Sequence, residues 1–75
     1  MKPAKSPDEL LDMYFNDLRS HFLEAAATLD RLDRAGIAQS AAGRRKLDTL
    51  LAAASVLSEK QLGRAERFLT ALSEK

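Results

Sequence analysis

The sequence contains no cysteine and a single histidine, His21. Without thiols the chain forms neither disulfides nor thiolate metal sites, and one histidine cannot build a multi-histidine metal site within one subunit. The lack of cysteine is typical of the reducing cytosol, so we expect a cytoplasmic protein. A chain of 75 residues is near the lower size limit for a self-sufficient core. Association is the remaining way to stabilise it.

Helix breakers and aromatic residues are also scarce. Both prolines lie in the first seven residues, and the chain has only three glycines and 5% aromatic residues. This composition, rich in alanine and leucine, favours an all-α fold. No run of eighteen apolar residues is present, so no membrane span is expected. We expect residues 1–6 to form a flexible N-terminal tail and residues 7–75 to form a single helical domain.

Strong local signals mark the first helix. Ser6, Pro7 and Glu9 supply an N-cap serine, a proline at the first helical position and a glutamate at the third, which together predict a capping box. Gly36 offers a left-handed C-cap. The first helix is therefore predicted over residues 7–35.

The apolar residues of this helix alternate in steps of four and three, as in a heptad repeat. They are Leu11, Phe15, Leu18, Phe22, Ala25, Leu29 and Leu32, flanked by Leu10, Tyr14 and Ala26. A helix with so long an apolar seam needs a partner along its whole length, because exposure of the seam to water would destabilise it or cause aggregation.

Two shorter helices are predicted in the remainder of the chain. Ser40 is a suitable N-cap for a second helix over about residues 42–57, and a second capping box at residues 58–61 predicts a third helix over about residues 59–74. The apolar face of the second helix comprises Leu47, Leu50, Leu51, Ala54 and Leu57, and that of the third comprises Leu62, Ala65, Leu69 and Leu72. The five-residue step from Leu57 to Leu62 predicts a break or kink at Ser58.

The helices fit an antiparallel hairpin centred between Gln39 and Ser40. In that register the apolar pairs are Phe22 with Leu57, Ala25 with Ala54, Leu29 with Leu50 and Leu32 with Leu47. The last helix then has two alternatives: it folds back to complete a three-helix unit, or it runs on along the first helix. Either alternative leaves apolar surface on the first helix uncovered. We therefore expect a twofold homodimer that forms a helical bundle.

The residues predicted to form this interface are Leu11, Tyr14, Phe15, Leu18 and Phe22. The leading hypothesis is a non-enzymatic interaction or dimerisation module, an adaptor or small regulatory protein. No nucleophile, base and orienting residue can be assembled, and no glycine-rich phosphate loop is present, so we expect neither an enzyme nor a cofactor.

His21 has acidic neighbours on its own helix face. Asp17 precedes it by four residues and Glu24 follows it by three. This spacing could supply half of a metal site completed by a second subunit. A surface histidine stabilised by the two carboxylates, or one at a pH-sensitive interface, is the simpler interpretation. No metal is expected.

Charge is distributed unevenly along the chain. The net charge is +1, but residues 8–35 carry seven acidic and three basic residues, whereas residues 36–75 carry seven basic and four acidic ones. An acidic helix packed beside a basic half explains this asymmetry. The alternative is a small dimeric nucleic-acid-binding regulator that uses the basic residues of the second and third helices. These are Arg44, Arg45, Lys46, Lys60, Arg64 and Arg67.

Overall fold

A computed structural model describes residues 5–73 of the chain. These residues form three α-helices: α1 (Pro7–Arg34), α2 (Ala41–Ala54) and α3 (Arg64–Ser73). Two short 3-10 helices, Ile37–Gln39 and Ser55–Ser58, precede and follow α2. No strand occurs between residues 5 and 73, so the all-α prediction is confirmed. The first four residues of the expected tail, the end of the expected third helix at residue 74, and residue 75 lie outside the described residues.

The start of α1 is fixed by the predicted capping box. The Ser6 Oγ accepts a hydrogen bond from the Glu9 N–H at 3.1 Å, and the Glu9 Oε1 accepts one from the Ser6 N–H at 2.8 Å. Pro7 occupies the first helical position, where its missing N–H costs nothing. Asp8 and Glu9 lie in the first turn, at the positive end of the helix dipole.

The end of α1 is fixed by a glycine. The Ala35 N–H donates to the Arg31 carbonyl oxygen at 3.0 Å, and Gly36 then adopts φ +88°. A residue without a Cβ takes this left-handed conformation without strain. The left-handed C-cap is confirmed. The chain divides between Ala35 and Gly36 into two compact units, each of which is described by itself.

In the second unit, the predicted N-cap of α2 forms as expected. The Ser40 Oγ accepts from the Gly43 N–H at 3.0 Å, and α2 starts one residue after Ser40. The helix ends at Ala54, whereas the sequence predicts α-helix to about residue 57. Residues 55–58 continue as 3-10 helix, in which the Ser55 hydroxyl donates to the Ala52 carbonyl oxygen at 2.7 Å.

The third helix starts five residues later than predicted, and the expected capping box at Ser58 does not form. The Ser58 hydroxyl donates backward to the Ser55 carbonyl oxygen at 3.1 Å, and Glu59 is extended. Serine can satisfy either the preceding or the following backbone, and here it closes the 3-10 turn. Gly63, at φ +80°, then turns the chain into α3.

A small core stabilises the second unit. α3 packs against α2 and against the 3-10 turn between them, so the chain folds back after α2. Ala53 and Val56 are the buried residues, at 1% and 8% exposure. Ile37, Leu47, Ala54, Phe68, Ala71 and Leu72 are partly buried. The predicted apolar face of the third helix is exposed at three of its four positions: Leu62 is 94% and Leu69 62% exposed, Ala65 is also exposed, and only Leu72 is partly buried.

Candidate interaction surface on the first helix

Five side chains on α1 form the N-terminal seam: Leu11, Tyr14, Phe15, Leu18 and Phe22. They lie on one face because successive members are separated by three or four residues, or are adjacent, along a helix of 3.6 residues per turn. Each is between 44% and 56% exposed. None of the 28 residues of α1 is buried. The seam is thus a continuous apolar surface in contact with solvent.

Three further large apolar side chains of α1 are exposed. Leu10, Met13 and Leu23 lie outside the heptad positions, at 40%, 50% and 59% exposure. Sequence reasoning placed Leu10 on the flank and missed Met13 and Leu23, because neither belongs to the three–four repeat. Surface apolar residues of this kind are ordinary when single. Met13 lies opposite the N-terminal seam, and Leu10 and Leu23 lie to either side of it, so none of the three belongs to the seam.

Charged and polar side chains border the seam on both sides. Asp12 and Arg19 occupy equivalent heptad positions on one flank. On the other flank His21 occupies the position equivalent to that of Tyr14, which forms the edge of the seam. All four residues are exposed. Within the described residues neither Asp12 nor Arg19 forms an ion pair. Each flank therefore presents groups that are available to a second helix.

The C-terminal half of α1 is less exposed to solvent than the N-terminal half. Ala27, Leu29 and Leu32 are partly buried, whereas every described residue before Ala27 is exposed. Polar groups in this half also find partners within the helix: the Thr28 hydroxyl donates to the Glu24 carbonyl oxygen at 2.9 Å, and the Arg31 guanidinium donates to the Thr28 Oγ1 at 3.0 Å. The exposed large apolar side chains are thus concentrated in the first seventeen residues of the helix.

The six candidate anion-binding residues lie in two segments of the second unit. Arg44, Arg45 and Lys46 are exposed in the early turns of α2. Lys60 lies in the non-helical segment before α3. The prediction that Lys60 lies on the third helix with Arg64 and Arg67 is therefore wrong, because that helix begins only at Arg64.

Glu59 binds both arginines of α3. The Arg64 Nε donates to the Glu59 carbonyl oxygen at 2.8 Å, and the Arg67 guanidinium forms an ion pair with the Glu59 carboxylate. Both contacts hold the 59–63 segment against the start of α3. These arginines therefore have a structural role in closing the turn, and Arg44, Arg45 and Lys46 remain as the basic cluster on α2.

The described residues contain no group of three or more histidine, cysteine, aspartate or glutamate side chains placed to hold a metal ion. His21 is exposed on α1. No helix between residues 5 and 73 is both long and apolar enough to cross a membrane.

Comparison with protein-family models, with curated proteins and with solved structures gives no match for the chain. The functional interpretation therefore depends on the residues and their geometry.

Proposed function

We propose that the protein is a non-enzymatic interaction module that forms a homodimer through the N-terminal seam of α1. The observation that carries this proposal is the exposure of five large apolar side chains on one face of a helix that has no buried residue. Fully burying a side chain of this size stabilises a protein by about 1.5–3 kcal/mol. Because each seam residue is roughly half exposed, a large part of that free energy is available to association.

The C-terminal half of α1 has a different proposed partner, the second unit of the same chain. The antiparallel hairpin register pairs Leu29 with Leu50, and Leu32 with Leu47. Leu50 and Leu51 are 42% and 44% exposed, so α2 has apolar surface left for such a contact. In the proposed assembly, a second copy covers the N-terminal seam. The result is a helical bundle with twofold symmetry.

The dimer is tested by absolute molar mass from light scattering over a concentration series, at low and high salt. We expect a mass of twice 8.3 kDa at high concentration, with little dependence on salt, because apolar burial is not screened by ions. A mass of 8.3 kDa at every concentration, with full helix content, would contradict the proposal.

Substitution of Phe15 by aspartate tests the seam itself. Phe15→Asp places a charge at the middle of the apolar face, and burial of an unpaired charge costs several kcal/mol. We expect the variant to be monomeric by light scattering and to have a lower melting temperature. Leu23→Asp is the matched control, because Leu23 is equally exposed on the same helix but lies off the seam. Equal loss of the dimer in both variants would show that the seam is not the interface.

A second candidate function is favoured by the basic cluster on α2. Arg44, Arg45 and Lys46 are exposed near the N-terminus of α2, where cations oppose the helix dipole. An anionic partner such as a nucleic acid would offset this unfavourable placement. The sequence isoelectric point of about 8.1 is below the range typical of nucleic-acid-binding domains, so this candidate ranks second.

The second candidate is tested by fluorescence anisotropy with labelled DNA and RNA at low salt. Binding through the cluster requires an affinity that falls steeply as salt increases, and its loss in the Arg44→Glu, Arg45→Glu, Lys46→Glu triple variant. Reversal of Arg31 and Arg34 in α1 serves as the control for an unspecific charge effect. No binding at low salt would exclude this function.

A further inference from the structure

We propose that the two copies of α1 pair antiparallel, with Leu11 against the partner's Phe22 and Phe15 against the partner's Leu18. This inference rests on the proposed dimer and defines its geometry. Because the pair has twofold symmetry, each of these two contacts occurs twice. Four layers are formed, and every layer combines one phenylalanine with one leucine.

The acidic start of α1 favours the antiparallel orientation. Residues 8–17 contain four acidic residues and no basic one: Asp8, Glu9, Asp12 and Asp17. A parallel dimer in register brings the acidic starts of the two helices together and places Asp8, at a seam position, beside the partner's Asp8, and like charges this close are destabilising. An antiparallel pair places the acidic start of each helix beside a later, less acidic part of the other.

The residues on the two flanks of the seam select one register of the antiparallel pair. In an antiparallel pair the twofold axis brings each flank of the seam against the same flank of the partner. In the proposed register Asp12 faces the partner's Arg19, and this ion pair also occurs twice. On the other flank, Tyr14 faces the partner's His21, so a phenol hydroxyl lies beside an imidazole that can exchange a hydrogen bond with it.

Neighbouring registers lack this complementarity. A shift of one heptad in one direction places Arg19 opposite the partner's Arg19. A shift of one heptad in the other direction places Asp12 opposite the partner's Asp12. A shift of two heptads in the first direction places Asp12 opposite the partner's Asp33. Each alternative replaces an attraction with a repulsion, so the charges on one flank specify a single alignment.

The structure of α1 is compatible with this pairing. Asp12 and Arg19 are exposed and have no ion-pair partner within the described residues. They are seven residues apart on the same helix, about 10 Å along its axis, so they do not satisfy each other within one chain. The proposed overlap also coincides with the residues of α1 that are exposed throughout, whereas Leu29 and Leu32 beyond it are partly buried.

A charge-reversal cycle tests the orientation, with the dimer dissociation constant measured by sedimentation equilibrium at low salt. Asp12→Lys and Arg19→Glu each turn two attractive contacts into repulsive ones, and we expect each to weaken the dimer about tenfold. The double variant restores opposite charges and should return to within about threefold of the original affinity. Asp17→Lys is the matched control, because Asp17 lies on the outer face of α1 in this pairing and its reversal should change the affinity less than about threefold.

The possible outcomes separate the orientation from the dimer itself. Recovery of affinity in the double variant supports the antiparallel register. Tighter association of Asp12→Lys would overturn it, because that result is expected when acidic helix starts lie side by side. A double variant that is no better than the single ones, in a chain that is dimeric before substitution, overturns the register and leaves the dimer standing. A monomeric original chain overturns both proposals. Circular dichroism confirms that each variant keeps its helix content.

Discussion

The two units of the chain differ in the regularity of their helices and in the burial of their side chains. α1 is long, its ends are closed by its own side chains and backbone, and none of its residues is buried. The second unit has shorter helices, interrupted by 3-10 turns and a non-helical segment, yet it contains the buried residues Ala53 and Val56. Helix formation and burial are therefore supplied by different parts of this sequence. The most regular helix has the least cover of its own, which is the pattern expected of a surface that binds another molecule.

The largest effect is expected from a substitution that disrupts the core of the second unit. Val56 is 8% exposed, and Val56→Asp puts a carboxylate among apolar neighbours, at an expected cost of about 3 kcal/mol or more. For so small a core this is enough to unfold α2 and α3. We expect amide NMR signals of residues 41–73 to lose their dispersion, while backbone shifts in the first turns of α1 stay helical.

The control for that substitution is Leu62→Asp. Leu62 was predicted in the apolar face of the third helix but is 94% exposed, so the same polarity change should alter the free energy of unfolding by less than about 0.5 kcal/mol. Equal destabilisation by the two variants would mean that the core lies elsewhere than at Ala53 and Val56.

A smaller effect is expected from removing the local signals of α1. Ser6→Ala deletes the capping hydroxyl that accepts from the Glu9 N–H, and loss of such a cap costs about 1 kcal/mol. Faster amide hydrogen exchange should appear in the first turns of α1. Ser58→Ala is the comparison, since the Ser58 hydroxyl caps no α-helix, and its effect should be clearly smaller. Equal effects would contradict the assignment of Ser58 to the 3-10 turn.

The smallest effect is expected from the ion pair that closes the turn before α3. Glu59→Gln removes the charge that faces Arg67, and the two side chains are 42% and 33% exposed. Ion pairs with this exposure contribute less than about 1 kcal/mol. We expect a melting temperature lower by a few degrees at low salt and a smaller difference at high salt, because mobile ions screen the pair. Glu66→Gln, an exposed glutamate on α3, is the control and should have no such salt dependence.

Local structures that depend on only four or five neighbouring residues were predicted from the sequence. The capping box of Ser6 and Glu9, the left-handed Gly36 and the N-cap Ser40 all form as expected, because each depends on backbone groups of its immediate neighbours. The same kind of pattern at Ser58 failed. There a 3-10 turn competes for the serine hydroxyl, and the sequence gives no measure of which backbone wins.

Residues of the core were harder to identify. Ala53 lies in the middle of an alanine triplet, and such small residues give no contrast between a buried and an exposed face. Val56 follows the end of α2, where the tighter 3-10 turn rotates successive side chains by about 120° instead of 100°. The helical repeat therefore points to Leu57, which is 50% exposed, when the buried residue is its neighbour. The seam on α1 was identifiable because no such change of helix type interrupts it.

The closed ends of α1 also have a kinetic consequence. Isolated helices shorter than about 12–15 residues are marginal in water, whereas α1 spans 28 residues between its capping box and Gly36. A partner would thus meet a surface that is already ordered, and little conformational entropy would be lost at the moment of binding. Association of such preformed surfaces is expected at about 10⁵–10⁷ M⁻¹s⁻¹, without the slow phase that folding on contact would introduce. Dissociation, rather than capture, would then set the lifetime and the affinity of the complex.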